Sequence, residues 1–201
     1  MAVQPRDHPS SPSPAALLLV DLVNPMDFDG AQALLPPALD AARAITALKR
    51  RTRAAGMPTI FVNDNFDQWH MGFRELVEHH GRPEAKGRAL IERVEPDAAS
   101  DHFVLKPMHS GFFQTPLEVL LQRLGVRTVV VTGVAADICV WATAHDAYMR
   151  DYRVVLPSDC IASERPEWTA DTLVRAQRVL HADTRPSTAL DLDALTTPAA
   201  E

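Results

Sequence analysis

The chain has 201 residues, 46% of them hydrophobic, and a formal net charge of −6 at pH 7, which is material for one packed core and leaves little room for a second domain. Its Lys and Arg residues are dispersed, so it lacks the basic footprint that nucleic acid or an anionic membrane surface requires. No apolar run approaches the roughly 20 residues that span a bilayer, and a small-molecule partner is the expectation that survives.

Residues 1–14 read as a disordered polar tail without the charged-then-apolar order of a secretory signal. Ala15–Val20 is short, continuously apolar and followed by Asp21, the pattern of a strand buried on both faces. Residues 36–55 carry Leu39, Ala42, Ile45, Ala47 and Leu48 at helical spacing before Gly56, which predicts a helix and its stop. A second strand is predicted at 58–62, and the less regular stretch 63–100 holds one helix around 72–79. His102–Lys106 is the third strand. Thr115 can cap a helix starting at Pro116, Gly125 ends it, and residues 127–132 form the clearest strand in the chain. A helix at about 137–150, a strand at 153–156, a helix at about 166–181 and a weak strand near Thr184 complete the pattern, with 191–201 as a tail. Strict alternation predicts an α/β protein, a three-layer α/β/α Rossmann-like fold with a mainly parallel sheet of about six strands in one domain spanning 15–190.

Polar residues just beyond the carboxyl ends of such strands carry information, because ligand crevices open along that edge. Asp21 follows the first strand, Lys106 ends the third, and Cys139 follows the fourth by one tight connection into a helix. A cysteine in a first helical turn feels the positive end of the macrodipole, and an ammonium beside it would stabilise the thiolate further. Asp21 is suited to hold the Lys, to take the thiol proton during attack and to return it to a leaving amine. Amides of the 133–139 turn would meet an oxyanion. Taken singly, the thiol reads as a small buried hydrophobe, Asp21 as a turn cap and Lys106 as a surface charge; three strand ends together favour a reactive site. Cys139 and Cys160 are too few for a disulfide framework and form no CxxC pair, so free thiols in a reducing cytoplasm are expected.

At these positions the sequence closely resembles the isochorismatase-like cysteine hydrolases, which include nicotinamidases, N-carbamoylsarcosine amidases, ureidoacrylate amidohydrolases and true isochorismatases. The resemblance runs through residues 18–24 with Phe28, then Lys106, Ser110, Phe112, Thr115 and Leu117. It is most specific at 131–140 with Thr143, Asp146, Ala147 and Tyr152. It implies a thioester mechanism on Cys139, a cis peptide between Val134 and Ala135, and an oxyanion hole from the amides of Ala135 and Cys139. A homo-oligomer, dimer or tetramer, is expected by resemblance only. Nicotinamidases carry an Asp-x-His metal motif after the second strand. Phe66 stands here where the first metal His would be, and a phenyl ring cannot donate to zinc, so no metal and no cofactor are expected.

Phe28, Phe66, Trp69, His109, Phe112 and Trp141 fall in or near the loops expected to line the crevice, where aromatic walls suit a small planar or apolar substrate. Core or interface packing is the equal alternative for each, and His109 also reads as a solvent-facing loop residue. His145 is given no catalytic role, and Cys160 reads as a packed thiol. The leading expectation is a cysteine-dependent, metal-independent hydrolase of an amide, ureido or carbamoyl C–N bond. Isochorismatase-type vinyl-ether hydrolysis and a non-catalytic binding protein on the same fold are its rivals. A papain-like protease lacks the residues that normally surround its cysteine.

Overall fold

A computed structural model describes residues 13–197. Strand β1 (Ala15–Val20) is completely buried. It pairs in parallel with β2 (Thr59–Asp64) on one side and β4 (Thr128–Val134) on the other. The order is β3-β2-β1-β4-β5, with β3 at His102–Lys106 and β5 at Arg153–Val155; β6 (Ile161–Ala162) also pairs with β4. All six strands are parallel, so connections between neighbouring strands must cross over a face of the sheet, while β6 simply continues along the edge of β4 that β5 begins.

Alternation along β1 divides the core. Ala15, Leu17 and Leu19 face one apolar cluster with Leu34, Ala38, Ala42, Ile45 and Leu48 of α1 (Ala31–Ala54). The same side takes Leu76 of α2 (Phe73–His80) and Leu90, Ile91 and Val94 of α3 (Arg88–Val94). Ala16, Leu18 and Val20 face the other cluster, with Leu117 and Leu121 of α4 (Leu117–Arg123), Ala144 and Ala147 of α5 (Trp141–Tyr148), and Ala176 and Leu180 of α6 (Pro166–Leu180). This is the expected three-layer α/β/α architecture.

The differences have local causes. α1 begins at Ala31 and takes Pro36 and Pro37 inside it, because burial of Ala31 and Leu34 secures a turn upstream of the prolines, where a sequence rule starts the helix. α3 sits within the stretch read as irregular; it is seven residues long and has no side-chain cap, so it forms through packing of its apolar face. The weak strand near Thr184 is only an isolated bridge between Val155 and Asp183, and the sixth strand is instead β6. Of the 1–14 tail, residues 1–12 lie outside those described, while Ser13 and Pro14 are tied to Leu124, Arg127 and Thr128 by backbone hydrogen bonds. The 191–201 tail is corrected in part. Leu192–Thr196 form α7, capped by Asp191, with Leu192 and Leu195 buried against the α1 side of the core.

Chain order reverses between β1 and β4: β2 and β3 are laid down on one flank of β1, then β4 and β5 on the other. Such a switch point leaves a crevice beyond the carboxyl ends of the two central strands. Asp21 and the turn carrying Cys139 lie there.

Candidate active site

Residues of one parity share a face of a strand. Val62 and Val104 belong to the α4–α6 side of the core, so Asp64 and Lys106, two residues further on, project to that side too. They are direct neighbours in register. Asp21, at φ 52, breaks the alternation of β1, and Asp is among the residues that tolerate this left-handed region. Its Oδ1 accepts the Asp64 amide at 2.6 Å. Asn63 exchanges two 2.9 Å hydrogen bonds with the backbone of Val23, which fixes the segment after Asp21.

Lys106 is wholly buried and its ammonium is the hub of the site. Nζ lies 2.9 Å from Asp21 Oδ2, 3.4 Å from Asp64 Oδ2 and 3.5 Å from Cys139 Sγ, and donates to the Met108 carbonyl at 3.1 Å. Full burial of an ammonium is tolerated because it has carboxylates and a carbonyl to replace water.

Cys139 is presented by a π-type turn, Ala136–Val140, leading directly into α5. The turn leaves β4 through Gly133 at φ +118, where a Cβ would stand 2.0 Å from the Val20 carbonyl oxygen, so only glycine fits there. The Val134–Ala135 peptide is cis, as the resemblance implied. Asp137 pins the turn: its amide donates to Ser163 Oγ at 3.3 Å, and that hydroxyl donates back to Asp137 Oδ1 at 2.5 Å.

Burial raises the Asp21 carboxyl above the usual carboxylate range against the opposing pull of Lys106, Cys139 and the Asp64 amide. Burial lowers the affinity of Lys106 for its proton, but Asp21, Cys139 and Asp64 together outweigh it and hold the ammonium charged. Burial and the Asp21 charge push the Cys139 thiol well up, more than Lys106 brings it down. The ammonium expected beside the sulfur is in place, but the Asp21 carboxylate works against the thiolate.

Asp64 was not among the expected site residues. Strand β2 runs two residues beyond its predicted end at 62, to Asp64; with the longer strand, the strand-end rule that selects Asp21 and Lys106 selects Asp64 as well. His109 Nδ1 lies 3.7 Å from Cys139 Sγ, on the exposed side. Phe112 is a correction: it is buried in the sheet core, packed on Tyr152 and under Arg150, and is no crevice wall. Trp141 is half-buried, with Arg175 4.1 Å above its ring and His145 beside it. Phe28 and Trp69 are exposed, at 44% and 72%. Phe66 meets the ring of His80 edge-on at 5.6 Å. Cys160 is fully buried.

Several residues of the resemblance find a common purpose. Ser110 donates to Asp146, the Gly111 amide donates to Thr143 Oγ1 at 2.9 Å, and Thr115 Oγ1 donates to the Gly111 carbonyl at 2.5 Å. The loop after Lys106 is thereby fastened to α5.

The residues near Phe66 do not fit a metal. The ring that meets His80 is the phenyl of Phe66, which has no donor atom, and no cluster of three or more His, Cys, Asp or Glu ligands occurs among the described residues.

Comparison with known proteins agrees with this geometry. The chain is 36% identical over 168 residues to the isochorismatase family protein YaaI of Bacillus subtilis, covering 84% of this chain and 91% of that one. It is 30% identical to the ureidoacrylate amidohydrolase RutB of Yersinia enterocolitica, over 78% of each chain. The N-carbamoylsarcosine amidase structure from Thermoplasma acidophilum superposes with a TM-score of 0.67 at 28% identity, covering 88% of this chain and 98% of that one. Residues 15–184 match the Isochorismatase domain, a span that takes in β1 through the last bridge to β5, and the chain therefore belongs to the isochorismatase family of hydrolases.

Proposed function

We propose that the protein is a cysteine-dependent, metal-independent amidohydrolase that cleaves an amide, ureido or carbamoyl C–N bond of a small molecule. The observation that carries this reading is the convergence of Cys139 Sγ and Asp21 Oδ2 on one buried ammonium, at 3.5 and 2.9 Å from Nζ. As Sγ attacks the carbonyl carbon, its proton passes to Asp21. That transfer moves a charge within the group without changing its total, so Lys106 stays beside the negative charge on carboxylate or sulfur. The amides of Ala135 and Cys139 take the developing oxyanion, an effect worth about 3–4 kcal/mol per donor in comparable sites. Asp21, its pKa raised by burial, then gives the proton to the departing nitrogen, leaving a thioester that water cleaves.

The names of the relatives, ureidoacrylate amidohydrolase and N-carbamoylsarcosine amidase, support C–N chemistry on a small substrate. Phe28, Phe66 and Trp69 are the aromatic residues to which we assign substrate contact. Hydrolysis across a panel of ureido, carbamoyl and carboxamide compounds, run with wild type and Cys139→Ala, tests the reading. Activity is expected in wild type and absent in the variant; full activity in Cys139→Ala would refute nucleophilic catalysis. Release of pyruvate from isochorismate would instead assign the vinyl-ether reaction.

A further inference from the structure

We infer that His109 is a second proton-transfer group of this site, serving the hydrolysis of the thioester rather than its formation. The inference rests on the thioester reading above and assigns a task that reading leaves open. Asp21 is 4% exposed and Lys106 is fully buried, so neither is open to solvent. Both Asp21 oxygens are engaged, Oδ1 by the Asp64 amide and Oδ2 by Lys106. The exposed His109, open to solvent, brings Nδ1 to 3.7 Å from Sγ.

The placement of His109 is built. The residue before it offers its carbonyl to Lys106 Nζ, and the residue after it donates its hydroxyl to Asp146 of α5. The Gly111 amide is tied to Thr143 on the same helix. The backbone that carries the imidazole is thus fixed from both flanks beside the sulfur, and histidine is the side chain that both accepts and donates a proton near neutral pH.

The step balances. A water oxygen forms a bond to the thioester carbon while one of its protons passes to Nδ1. Collapse of the tetrahedral intermediate breaks the C–S bond, the electron pair returns to sulfur, and the imidazolium gives its proton to Sγ. Thiol, neutral imidazole and carboxylic acid result, and no other reactant is needed. A group that serves both water and sulfur must lie within reach of both, and His109 does.

Para-nitrophenyl acetate tests this without knowledge of the natural substrate, because it acylates a thiol directly. In His109→Ala and His109→Gln the initial burst of nitrophenolate is expected to keep its wild-type rate, and steady-state turnover to fall by about 10²-fold. Intact-protein mass spectrometry should then find the acetyl thioester on Cys139, and added imidazole should clear it. Burst and steady state falling together, turnover within about twofold of wild type, or an adduct that imidazole does not clear would overturn the assignment. A burst that persists in Cys139→Ala would instead overturn the thioester reading itself, and this inference with it. The two failures carry different signatures.

Discussion

Lowering the pH from 7 to 5 should weaken the fold through His80, and the size of the effect follows from its surroundings. The ring closes α2, is 6% exposed, leaves Nε2 without a partner and touches Phe66 and His79 at 5.6 and 5.1 Å. Burial first, then the charges of His79 and Arg82, lower its pKa from 6.5 to about 4. Between those values the unfolded chain binds a proton that the native protein refuses, so stability is present above 6.5 and is lost as pH falls toward 4. Linkage with these two values gives a loss of about 2 kcal/mol between pH 7 and pH 5. Urea unfolding of wild type and His80→Leu at both pH values isolates the contribution, because Asp27, Asp97 and Asp183, whose carboxyls are held low, titrate alike in both proteins. Wild type should lose about 2 kcal/mol more than the variant across this interval. Losses equal to within about 0.5 kcal/mol would show that the ring is not held neutral and that the reasoning from its enclosure is wrong.

Replacing Asp21 with Asn removes the nearest counter-charge of a fully buried ammonium and should cost about 3 kcal/mol in chemical denaturation; adding Lys106→Met to the same chain should recover much of that stability while leaving the enzyme inactive. The raised thiol of Cys139 predicts iodoacetamide alkylation that is slow at pH 7 and still accelerating above pH 9, read by mass spectrometry of the labelled peptide; a rate that levels off below pH 8 would demand a resting thiolate. Gly133→Ala forces a Cβ to 2.0 Å from the Val20 carbonyl at φ +118, and thermal unfolding should show a loss of at least about 3 kcal/mol. Leu195→Ala, in the short helix α7, should cost about 2 kcal/mol by the same measurement, whereas a true tail residue would cost nothing.

The strands at the centre of the sheet were legible because burial on both faces leaves an uninterrupted apolar run, and the residue that ends such a run is conspicuous. Asp21 and Lys106 stand out for that reason, and Cys139 through the compact turn that carries it. Asp64 escaped because Asn63 and Asp64 extend β2 with polar side chains, which a reading by hydropathy takes for the loop. Phe112 was misplaced for the converse reason: it follows a loop glycine in sequence, but the turn it occupies folds under the sheet's edge onto Tyr152. Elements shorter than two turns, α3 and α7, and the two-residue β6 carry too little periodicity to be seen alone. Only burial in the shared core, for α3 and α7, or pairing with β4, for β6, makes them regular. The environment of the thiol was unreadable for a different reason, since the balance between Asp21 and Lys106 depends on distances of a few ångströms.

The fastening of the loop after Lys106 to α5 divides the molecule by function. Lys106 and Cys139, the centre of the proposed chemistry, stand next to segments sewn together by Ser110, Gly111, Thr143 and Asp146, whereas Phe28 and Trp69 project into solvent. Under the function proposed above, a lineage, or an experimenter, can therefore vary these exposed aromatic residues while Lys106 and Cys139 keep their spacing. The converse also holds: a change at Asp146, on the far end of the stitching, would be felt as lost chemistry with those aromatic residues untouched.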